Sequence, residues 1–274
     1  MIKIRNLSFA YPGEDNKVLD HINLDIGENE FIGILGPNGS GKSTLARILN
    51  GTLIPVQGSV EVDGYDTRDP KNLSKIRKRV GLLLPSPDNQ LITNIVEEDV
   101  AFGPENLGLP PDQIRQRVDE ALKIVGMDEY ARKSPYMLSG GQKQKVGIAG
   151  IIAMKPGYMV MDEPTSMLDP DGRREVMQAL QRLMEVESLS LIYITHHPEE
   201  VIKADRIILL EKGTIKAEGK PAEILGNSQM LSRMGIAPLE ITSLIALINK
   251  KAETDIHMGI FELDELVEEL CHWK

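Results

Sequence analysis

Alternating apolar and polar residues mark three short segments near the start of the chain. They are Ile2–Ala10, Ile22–Ile26 and Ser59–Gly64. A period of two places successive side chains on opposite faces of a strand, so each segment predicts a strand with one buried face. Together they predict an antiparallel sheet in the front part of the protein.

Continuous apolar runs predict strands of a second kind, which are buried on both faces. Four such runs occur, at Glu30–Leu35, Val80–Leu84, Tyr158–Met161 and Leu189–Ile194. Helical patterns separate them, at Pro111–Val125, Gly141–Met154 and Arg173–Val186. Strands that alternate with helices predict an α/β fold with a parallel sheet and right-handed crossovers.

The last part of the chain predicts a hairpin and then helices. Arg206–Leu210 and Thr214–Glu218 flank a short turn, which is typical of a β-hairpin. From Pro221 onward apolar residues are spaced i, i+3, i+4 and i+7 in two stripes. The stripes are Ile241, Leu244, Ile245 and Ile248, and then Leu263, Leu266, Val267 and Leu270. We therefore divide the chain into a domain over 1–220 and a helical C-terminal extension over 221–274, which could pack against its own domain or against a partner.

Composition narrows the class of protein. The 274 residues are 41% hydrophobic and 26% charged, which is ordinary for a soluble globular protein. No run of about 18 apolar residues occurs, so the sequence predicts no membrane span. A formal net charge of −10 argues against nucleic acid or anionic lipid as the main partner. The first residues are strand-like and lack the layout of a signal peptide, and the single cysteine, Cys271, fits the cytosol.

A glycine-rich segment between a predicted strand and a predicted helix carries the first chemical signal. It fits the pattern G-x-x-x-x-G-K-[ST] with Gly36, Pro37, Asn38, Gly39, Ser40, Gly41, Lys42 and Ser43, followed by Thr44. Backbone N–H groups of such a loop, together with the positive end of the helix, bind a phosphate chain. Lys42 would reach the β- and γ-phosphates, and the Ser43 hydroxyl would bind Mg²⁺. A glycine-rich turn with an exposed lysine is the alternative, but it leaves the flanking strand and helix unexplained.

Two further predicted strands end in polar residues. The third apolar run leads into Asp162 and Glu163; the first would orient Mg²⁺, and the second would polarise the attacking water as a general base. The fourth run leads to His196, which would open at the same edge as the phosphate loop and hydrogen-bond the γ-phosphate and the water. Polar residues at strand ends are common, so the catalytic interpretation of Lys42, Glu163 and His196 depends on the phosphate loop beside them.

A second glycine-rich segment opens another helix. Ser139, Gly140 and Gly141 follow Leu138, with the serine as the helix N-cap. The N-terminus of a helix is an anion site, yet the first loop already encloses one phosphate chain. We therefore expect the second anion site to cover a nucleotide that is bound by another copy of the chain. This expectation predicts a dimer.

These segments together resemble the ATP-binding cassette (ABC) ATPases. Leu138–Gln142 looks like the signature motif of that family, and Ser166–Asp169 is similar to its D-loop. The motifs occur in the family's order within Met1–Gly219. The resemblance implies a P-loop NTPase core with a mixed sheet in a RecA-like lobe, an antiparallel β subdomain and an inserted α-helical subdomain at about 89–134.

The resemblance also implies how ATP is bound. Two chains would sandwich two ATP molecules, so that Ser139, Gly140 and Gly141 of one chain face the γ-phosphate held by Lys42 of the other. Tyr11 matches the aromatic residue that stacks on adenine in the family, although a tyrosine in a strand also serves for packing.

A narrower resemblance lies in Ser86–Gln90 and Val96–Asn106. Both are similar to the ATPase subunits of energy-coupling factor transporters, which import vitamins and transition-metal ions such as cobalt and nickel in prokaryotes. In that family this region receives coupling helices of the transmembrane subunit, and a helical C-terminal extension helps to join the two ATPases. The implied partners are a second ATPase subunit, identical or paralogous, a transmembrane coupling protein and a substrate-binding membrane protein. The implied location is peripheral, on the cytoplasmic face of the membrane, and the sequence does not encode the substrate.

Three positions depart from the family's pattern. Pro85 stands where the Q-loop glutamine contacts Mg²⁺ and the attacking water, and proline has no hydrogen-bonding side chain. His197 replaces the usual aspartate after the histidine, and Lys145 replaces an arginine. Our hypothesis is that Pro85 weakens or reroutes the Mg²⁺ contact without abolishing hydrolysis.

Other functions compete with a transport ATPase. A soluble cassette ATPase in DNA repair or translation is disfavoured by the acidic charge, by the lack of a long heptad insertion and by the lack of a second cassette. A nucleotide-binding scaffold that scarcely hydrolyses ATP is suggested by Pro85 alone. A GTPase is disfavoured because the sequence has no Asn-Lys-x-Asp motif.

Overall fold

Two sheets and ten α-helices make up the part of the chain that the computed structural model describes, residues 1–14, 16–86, 90–252 and 254–272. The strands are β1 (Ile2–Phe9), β2 (Leu19–Ile26), β3 (Phe31–Leu35), β4 (Gln57–Val62), β5 (Tyr65–Asp66), β6 (Val80–Leu83), β7 (Tyr158–Asp162), β8 (Ser190–Thr195), β9 (Arg206–Glu211) and β10 (Thr214–Gly219). The helices are α1 (Lys42–Leu49), α2 (Leu73–Arg79), α3 (Val96–Asn106), α4 (Pro111–Ile124), α5 (Gly140–Met154), α6 (Pro170–Val186), α7 (Pro221–Leu225), α8 (Ser228–Arg233), α9 (Glu240–Ala252) and α10 (Leu263–His272).

The antiparallel sheet predicted at the front of the chain is present. Its strand order is β2-β1-β4-β5, and each neighbouring pair is antiparallel. In the central strand Ile2 and Ile4 are fully buried while Lys3 and Arg5 are exposed, so the alternating pattern reports one packed face.

The second sheet has the order β10-β9-β3-β8-β7-β6. Its strands β6, β7, β8, β3 and β9 are parallel, and β10 closes the edge by pairing antiparallel with β9. The predicted parallel sheet and the predicted hairpin are therefore confirmed. Because β3, β8 and β7 are parallel neighbours, the loops that follow them all leave from one edge of the sheet.

Burial on both faces explains why these strands are continuously apolar. On one face, Ile34 of β3 and Ile192 of β8 pack in one cluster with α1 and the antiparallel sheet. On the other face, Leu191 and Tyr193 of β8 lie in a second cluster with side chains of α5 and α6. Helix α1 thus stands between the two sheets, and this fixes the loop that precedes it.

The helices α3 and α4 both contact α5, and their apolar side chains belong to one buried cluster. Val96 and Val100 of α3 and Leu122 of α4 are at most 1% exposed. The predicted helical subdomain, 89–134, contains α3 and α4 but begins in a segment, 87–89, that lies outside the described residues. Its boundaries remain a prediction.

The C-terminal extension contributes to two apolar clusters. Ile224, Leu225 and Leu231 pack in the main core, which ties α7 and α8 to the rest of the chain. A separate small cluster joins α9 to α10 and is centred on Ile245, Ile256, Ile260 and Leu266. Other stripe residues, Leu244, Leu263, Val267 and Leu270, are exposed. Among the described helices, none has the length and apolar character needed to cross a membrane.

Candidate nucleotide-binding and hydrolysis site

The glycine-rich loop connects β3 to α1, as predicted, and two of its glycines have no room for a side chain. A Cβ on Gly36 would lie 2.2 Å from the carbonyl oxygen of Leu210. Gly41 is the N-cap of α1 with φ of 103°, and a Cβ there would lie 2.7 Å from Leu19 Cδ2. The loop is therefore held tightly between the strand β9 and the start of β2.

The Lys42 ammonium group is held by the carbonyl oxygens of the loop itself. Its Nζ donates to Gly36 O at 2.7 Å and to Pro37 O at 2.9 Å. Burial lowers the pKa of Lys42, while the carboxylates of Glu163 and Asp162 oppose that shift. The loop residues Asn38–Thr44, together with Val18 and Glu163, surround a cavity of about 170 Å³. A bound phosphate chain would therefore offer phosphate oxygens to the Lys42 ammonium group in place of the carbonyl oxygens of Gly36 and Pro37.

Asp162 ends β7 as a buried carboxylate, 1% exposed. Neither of its side-chain oxygens has a hydrogen-bond partner among the described residues. Burial raises the pKa of Asp162, and the nearby Ser43 hydroxyl offsets this only in part. A buried carboxylate without a partner, next to a hydroxyl and a phosphate loop, is a donor set that fits Mg²⁺, which keeps water and phosphate oxygens as its other ligands.

Glu163 and His196 come together at the carboxyl edge of the sheet. The distance between Glu163 Oε1 and His196 Nδ1 is 3.2 Å. Glu163 has φ of 50°, in the left-handed region, and its N–H donates to Ile194 O at 2.9 Å. Both predicted catalytic side chains of this edge therefore meet beside the phosphate loop.

Tyr11 lies next to α1, the helix that follows the phosphate loop. Its hydroxyl is 3.1 Å from Thr44 Oγ1, and its ring packs edge-on against Phe9 at a centroid distance of 5.1 Å. The side chain is half-buried. This places Tyr11 beside the phosphate loop, while its stacking on adenine remains a prediction.

The second glycine-rich segment starts α5 with a reciprocal cap. Gln142 N donates to Ser139 Oγ at 3.3 Å, and Ser139 N donates to Gln142 Oε1 at 3.0 Å. Ser139 and Gly140 are exposed. The cavity of about 170 Å³ at the phosphate loop is lined by none of Ser139, Gly140 and Gly141. The geometry of one chain thus leaves the segment open to solvent.

Pro85 follows β6, and a different residue holds the turn around it. The carboxamide of Gln90 accepts from Leu84 N at 3.2 Å and donates to Leu84 O at 2.6 Å and to Ser86 O at 3.1 Å. The sequence analysis did not single out this role of Gln90. The residues Pro87–Asn89, which contribute to the resemblance described above, lie outside the described residues.

Glu200 is a further residue of this edge that the sequence analysis missed. It is 7% exposed, and its carboxylate accepts hydrogen bonds from Thr165 and Thr195. A glutamate five positions after a strand carries no signal in the sequence, because charged residues in loops are ordinarily exposed.

Comparison with known proteins agrees with this geometry. The ABC transporter family matches residues 19–166, just over half of the chain. The energy-coupling factor transporter ATP-binding protein EcfA of Syntrophomonas wolfei subsp. wolfei (strain DSM 2245B / Goettingen) is 53% identical over 273 residues, covering 100% of this chain and 100% of that protein.

Two solved structures have the same fold. The structure of cbiO1 from Clostridium perfringens, part of the ABC transporter complex cbiONQ, superposes with a TM-score of 0.75 at 34% identity over 89% of this chain and 98% of that one. A dimeric ATP-binding cassette in a post-hydrolysis state with ADP and Pi superposes with a TM-score of 0.74 at 31% identity, over 81% and 99% of the two chains. The chain thus belongs to the ABC transporter family, as an ATP-binding ATPase related to the energy-coupling factor transporter proteins.

Proposed function

We propose that the chain is the ATP-hydrolysing subunit of an energy-coupling factor type importer. It pairs with a second ATPase around two ATP molecules and drives the uptake of a vitamin or a transition-metal ion through a membrane partner. The observation that carries the proposal is the meeting of Glu163 and His196, 3.2 Å apart, beside a phosphate loop in a chain that matches such a subunit over its whole length.

The phosphate chain is bound by the loop Gly36–Ser43. Its backbone N–H groups and the N-terminus of α1 face the phosphates, and Lys42 donates to the β- and γ-phosphate oxygens. Ser43 and Asp162 are the residues that would hold Mg²⁺. When bound, the ion supplies positive charge that neutralises the phosphate oxygens.

Hydrolysis depends on the two side chains at the sheet edge. Glu163 accepts a proton from the attacking water, and its fixed backbone keeps the carboxylate directed at the γ-phosphate side of the loop. His196 hydrogen-bonds to the γ-phosphate through one ring nitrogen, while its Nδ1 lies 3.2 Å from Glu163 Oε1 and orients that carboxylate.

The site is completed by a second subunit. Ser139, Gly140 and Gly141 at the N-terminus of α5 supply N–H groups and the positive end of a helix to the γ-phosphate held by the other chain. Tyr11 stacks on the adenine. ATP thus stabilises the closed dimer, and hydrolysis with product release reopens it.

The motion is delivered to membrane partners. The proposed complex contains a second ATPase subunit, identical or paralogous, a transmembrane coupling protein and a substrate-binding membrane protein, with this chain on the cytoplasmic face. The region around α3, which follows Gln90, is the proposed contact with the coupling protein. Nucleic acid is not a proposed partner, since the net charge is −10.

Co-purification tests the proposal directly. The tagged chain, isolated from detergent-solubilised membranes of its own cells, is expected to bring a transmembrane protein, and ATP hydrolysis by the isolated complex is expected to support substrate uptake in vesicles. A chain that stays free of membrane proteins and whose ATPase activity rises with added DNA or RNA would support the soluble cassette ATPase instead. Phosphate release no faster than that of the Glu163→Gln variant would support the non-hydrolysing scaffold.

A further inference from the structure

Glu200 is a buried carboxylate that the mechanism above does not use. It lies in the short helical turn Pro198–Val201, after β8, and is 7% exposed. One oxygen, Oε1, accepts a hydrogen bond from Thr165 Oγ1, and the other, Oε2, accepts one from Thr195 Oγ1 at 2.5 Å. A carboxylate buried in this way is stable because both oxygens have partners.

Thr165 lies in the loop after β7 that carries Glu163, and Thr195 is the last residue of β8, which leads into His196. Thr165 comes two residues after Glu163, and Thr195 directly precedes His196. Thr195 Oγ1 also accepts from His197 N at 3.0 Å, which fixes the turn after β8. The Glu200 carboxylate, on the turn after β8, thus connects the loop after β7 to the end of β8.

The hydroxyl of Tyr193 is the fourth member of the buried group around Glu200. It lies 3.3 Å from Thr165 Oγ1. Burial, with the nearby Glu200 carboxylate, raises the pKa of Tyr193 well above its usual value, so the phenol stays protonated. The group consists of Glu200, Thr165, Thr195 and Tyr193, all buried.

We propose that Glu200 is a positioning residue for ATP hydrolysis, which sets the distance between Glu163 and His196 by joining the loops that bear them. This inference rests on the proposed roles of Glu163 and His196. Glu200 acts through the two threonines, since both of its oxygens are already hydrogen-bonded to them.

The physical reason is the precision that the site requires. Glu163 sits in the left-handed region at φ of 50°, which persists only where the surroundings determine the backbone. Its N–H donates to Ile194 O, next to Thr195, so the backbone already joins Glu163 to the end of β8, and the bonds from Glu200 to Thr165 and Thr195 add a side-chain link between the same two segments. A displacement of about 1 Å in a catalytic group can lower turnover by about a hundredfold.

The test compares Glu200→Ala with Glu200→Gln. The alanine variant breaks both links and is expected to lower kcat by about tenfold to a hundredfold, with the KM for ATP within about twofold of the parent. The glutamine variant keeps the shape, and because a threonine hydroxyl can accept as well as donate, it is expected to recover most of kcat. A matched control is Glu185→Gln, which changes an exposed carboxylate on α6 and is expected to turn over at the parental rate.

A second pair of variants covers the case in which Glu200→Ala does not fold. Thr195→Val and Thr165→Val remove one link each while keeping the side-chain volume nearly unchanged, and each is expected to lower kcat with little change in KM. Combined, they are expected to lower kcat by less than the product of their separate effects, because both act through one carboxylate.

The outcomes separate this inference from the proposed function. Parental kcat in Glu200→Ala and in both valine variants, with Glu163→Gln inactive, would overturn the positioning role and leave the proposed function in place. Parental turnover in Glu163→Gln would overturn the proposed mechanism and this inference with it. A loss of kcat in Glu200→Gln as large as that in Glu200→Ala would also overturn the positioning role, because it would show that the charge itself is required.

Discussion

His196 Nδ1 lies 3.2 Å from Glu163 Oε1, so two residues 33 positions apart in the chain form one pair. The pair forms because β7 and β8 are parallel neighbours, with Asp162 in register with Ile194. The backbone of Glu163 is left-handed, a conformation that costs of order 1–3 kcal/mol and that here directs the side chain to the phosphate loop. Strain at this position is compensated by the hydrogen bond from its N–H to Ile194.

Replacing the acid of this pair separates binding from hydrolysis. Glu163→Gln keeps the size and the bond to His196 but cannot accept a proton, so turnover is expected to fall by about 10²–10⁴-fold while ATP binding persists. Phosphate release and equilibrium binding of a fluorescent ATP analogue measure the two effects. The control is Glu185→Gln on the exposed face of α6, which is expected to change neither quantity. Near-parental turnover in Glu163→Gln would contradict the assignment.

Removing the lysine of the loop is expected to act on both binding and turnover, because Lys42 donates to the γ-phosphate that is transferred. Lys42→Ala is expected to weaken ATP binding about tenfold to a hundredfold, because hydrogen bonds to a charged group contribute about 1.5–3 kcal/mol. The variant also leaves the carbonyl oxygens of Gly36 and Pro37 without their donor. Isothermal titration with ATP measures the affinity, and the exposed Lys71→Ala serves as the control. Unchanged affinity would show that the ammonium group does not contact the phosphates.

Asp162→Asn tests the proposed Mg²⁺ ligand. The amide cannot replace a charged oxygen ligand, so the Mg²⁺ concentration that supports half-maximal ATP hydrolysis is expected to rise about tenfold or more. A titration of activity against Mg²⁺ at saturating ATP measures it, and Asp171→Asn, an exposed acid at the start of α6, is the matched control. The same half-maximal concentration in the Asp162 variant and the parent would remove Asp162 from the metal site.

Pro85→Gln tests the departure in the Q-loop. The substitution adds a carboxamide two residues after the end of β6, and it is expected to raise the ATPase rate or to lower the Mg²⁺ requirement. The turn is expected to survive, because the bonds from Gln90 to Leu84 and Ser86 hold it independently of Pro85. Pro110→Gln, an exposed proline before α4, controls for the loss of a proline ring. Equal ATPase rates and equal Mg²⁺ dependence in Pro85→Gln and the parent would contradict the hypothesis that Pro85 weakens or reroutes the Mg²⁺ contact.

Much of the fold was predictable from residue patterns, and the exceptions have local causes. The apolar periodicity predicted that the helix before β8 begins at Arg173, whereas α6 begins at Pro170. The difference arises because Asp169 accepts a hydrogen bond from Gly172 N and caps the helix. Periodicity did not predict α3, which contains Gly103 and Pro104, residues that normally interrupt helices. Such elements are determined by caps and by packing against α5, which a count of apolar spacings does not include.

In the candidate site, too, some residues were predictable from the sequence and others were not. The residues proposed to face the phosphates were predictable, because Lys42, Asp162 and His196 follow strands that open at one edge. Glu200 was not, since its partners are five and 35 positions away and meet it only in the folded chain. Residues that hold others in place carry little sequence signal, because their role depends on a tertiary contact.

A composite site formed between two identical copies predicts that two inactive variants restore each other. Gly140→Asp places a carboxylate at the N-terminus of α5, where it would repel the γ-phosphate of the other chain. The fold is expected to tolerate it, because the nearest atoms to a Cβ at Gly140 are those of Met167, at 3.9 and 4.0 Å. Gly140→Ala fills the same space without charge and is the matched control.

In a mixture of Lys42→Ala and Gly140→Asp chains, a mixed dimer has one site with both defects and one site with neither. Half of the dimers in an equal mixture are mixed, so about a quarter of the parental ATPase activity is expected to return from two nearly silent preparations. Phosphate release measured against the mixing ratio should peak at equal amounts. If the activity of the mixture is only the sum of the activities of the two folded variants, Lys42 and Gly140 of separate copies do not share a site. Only a site shared between two copies can combine the intact Lys42 of one chain with the intact Gly140 of the other.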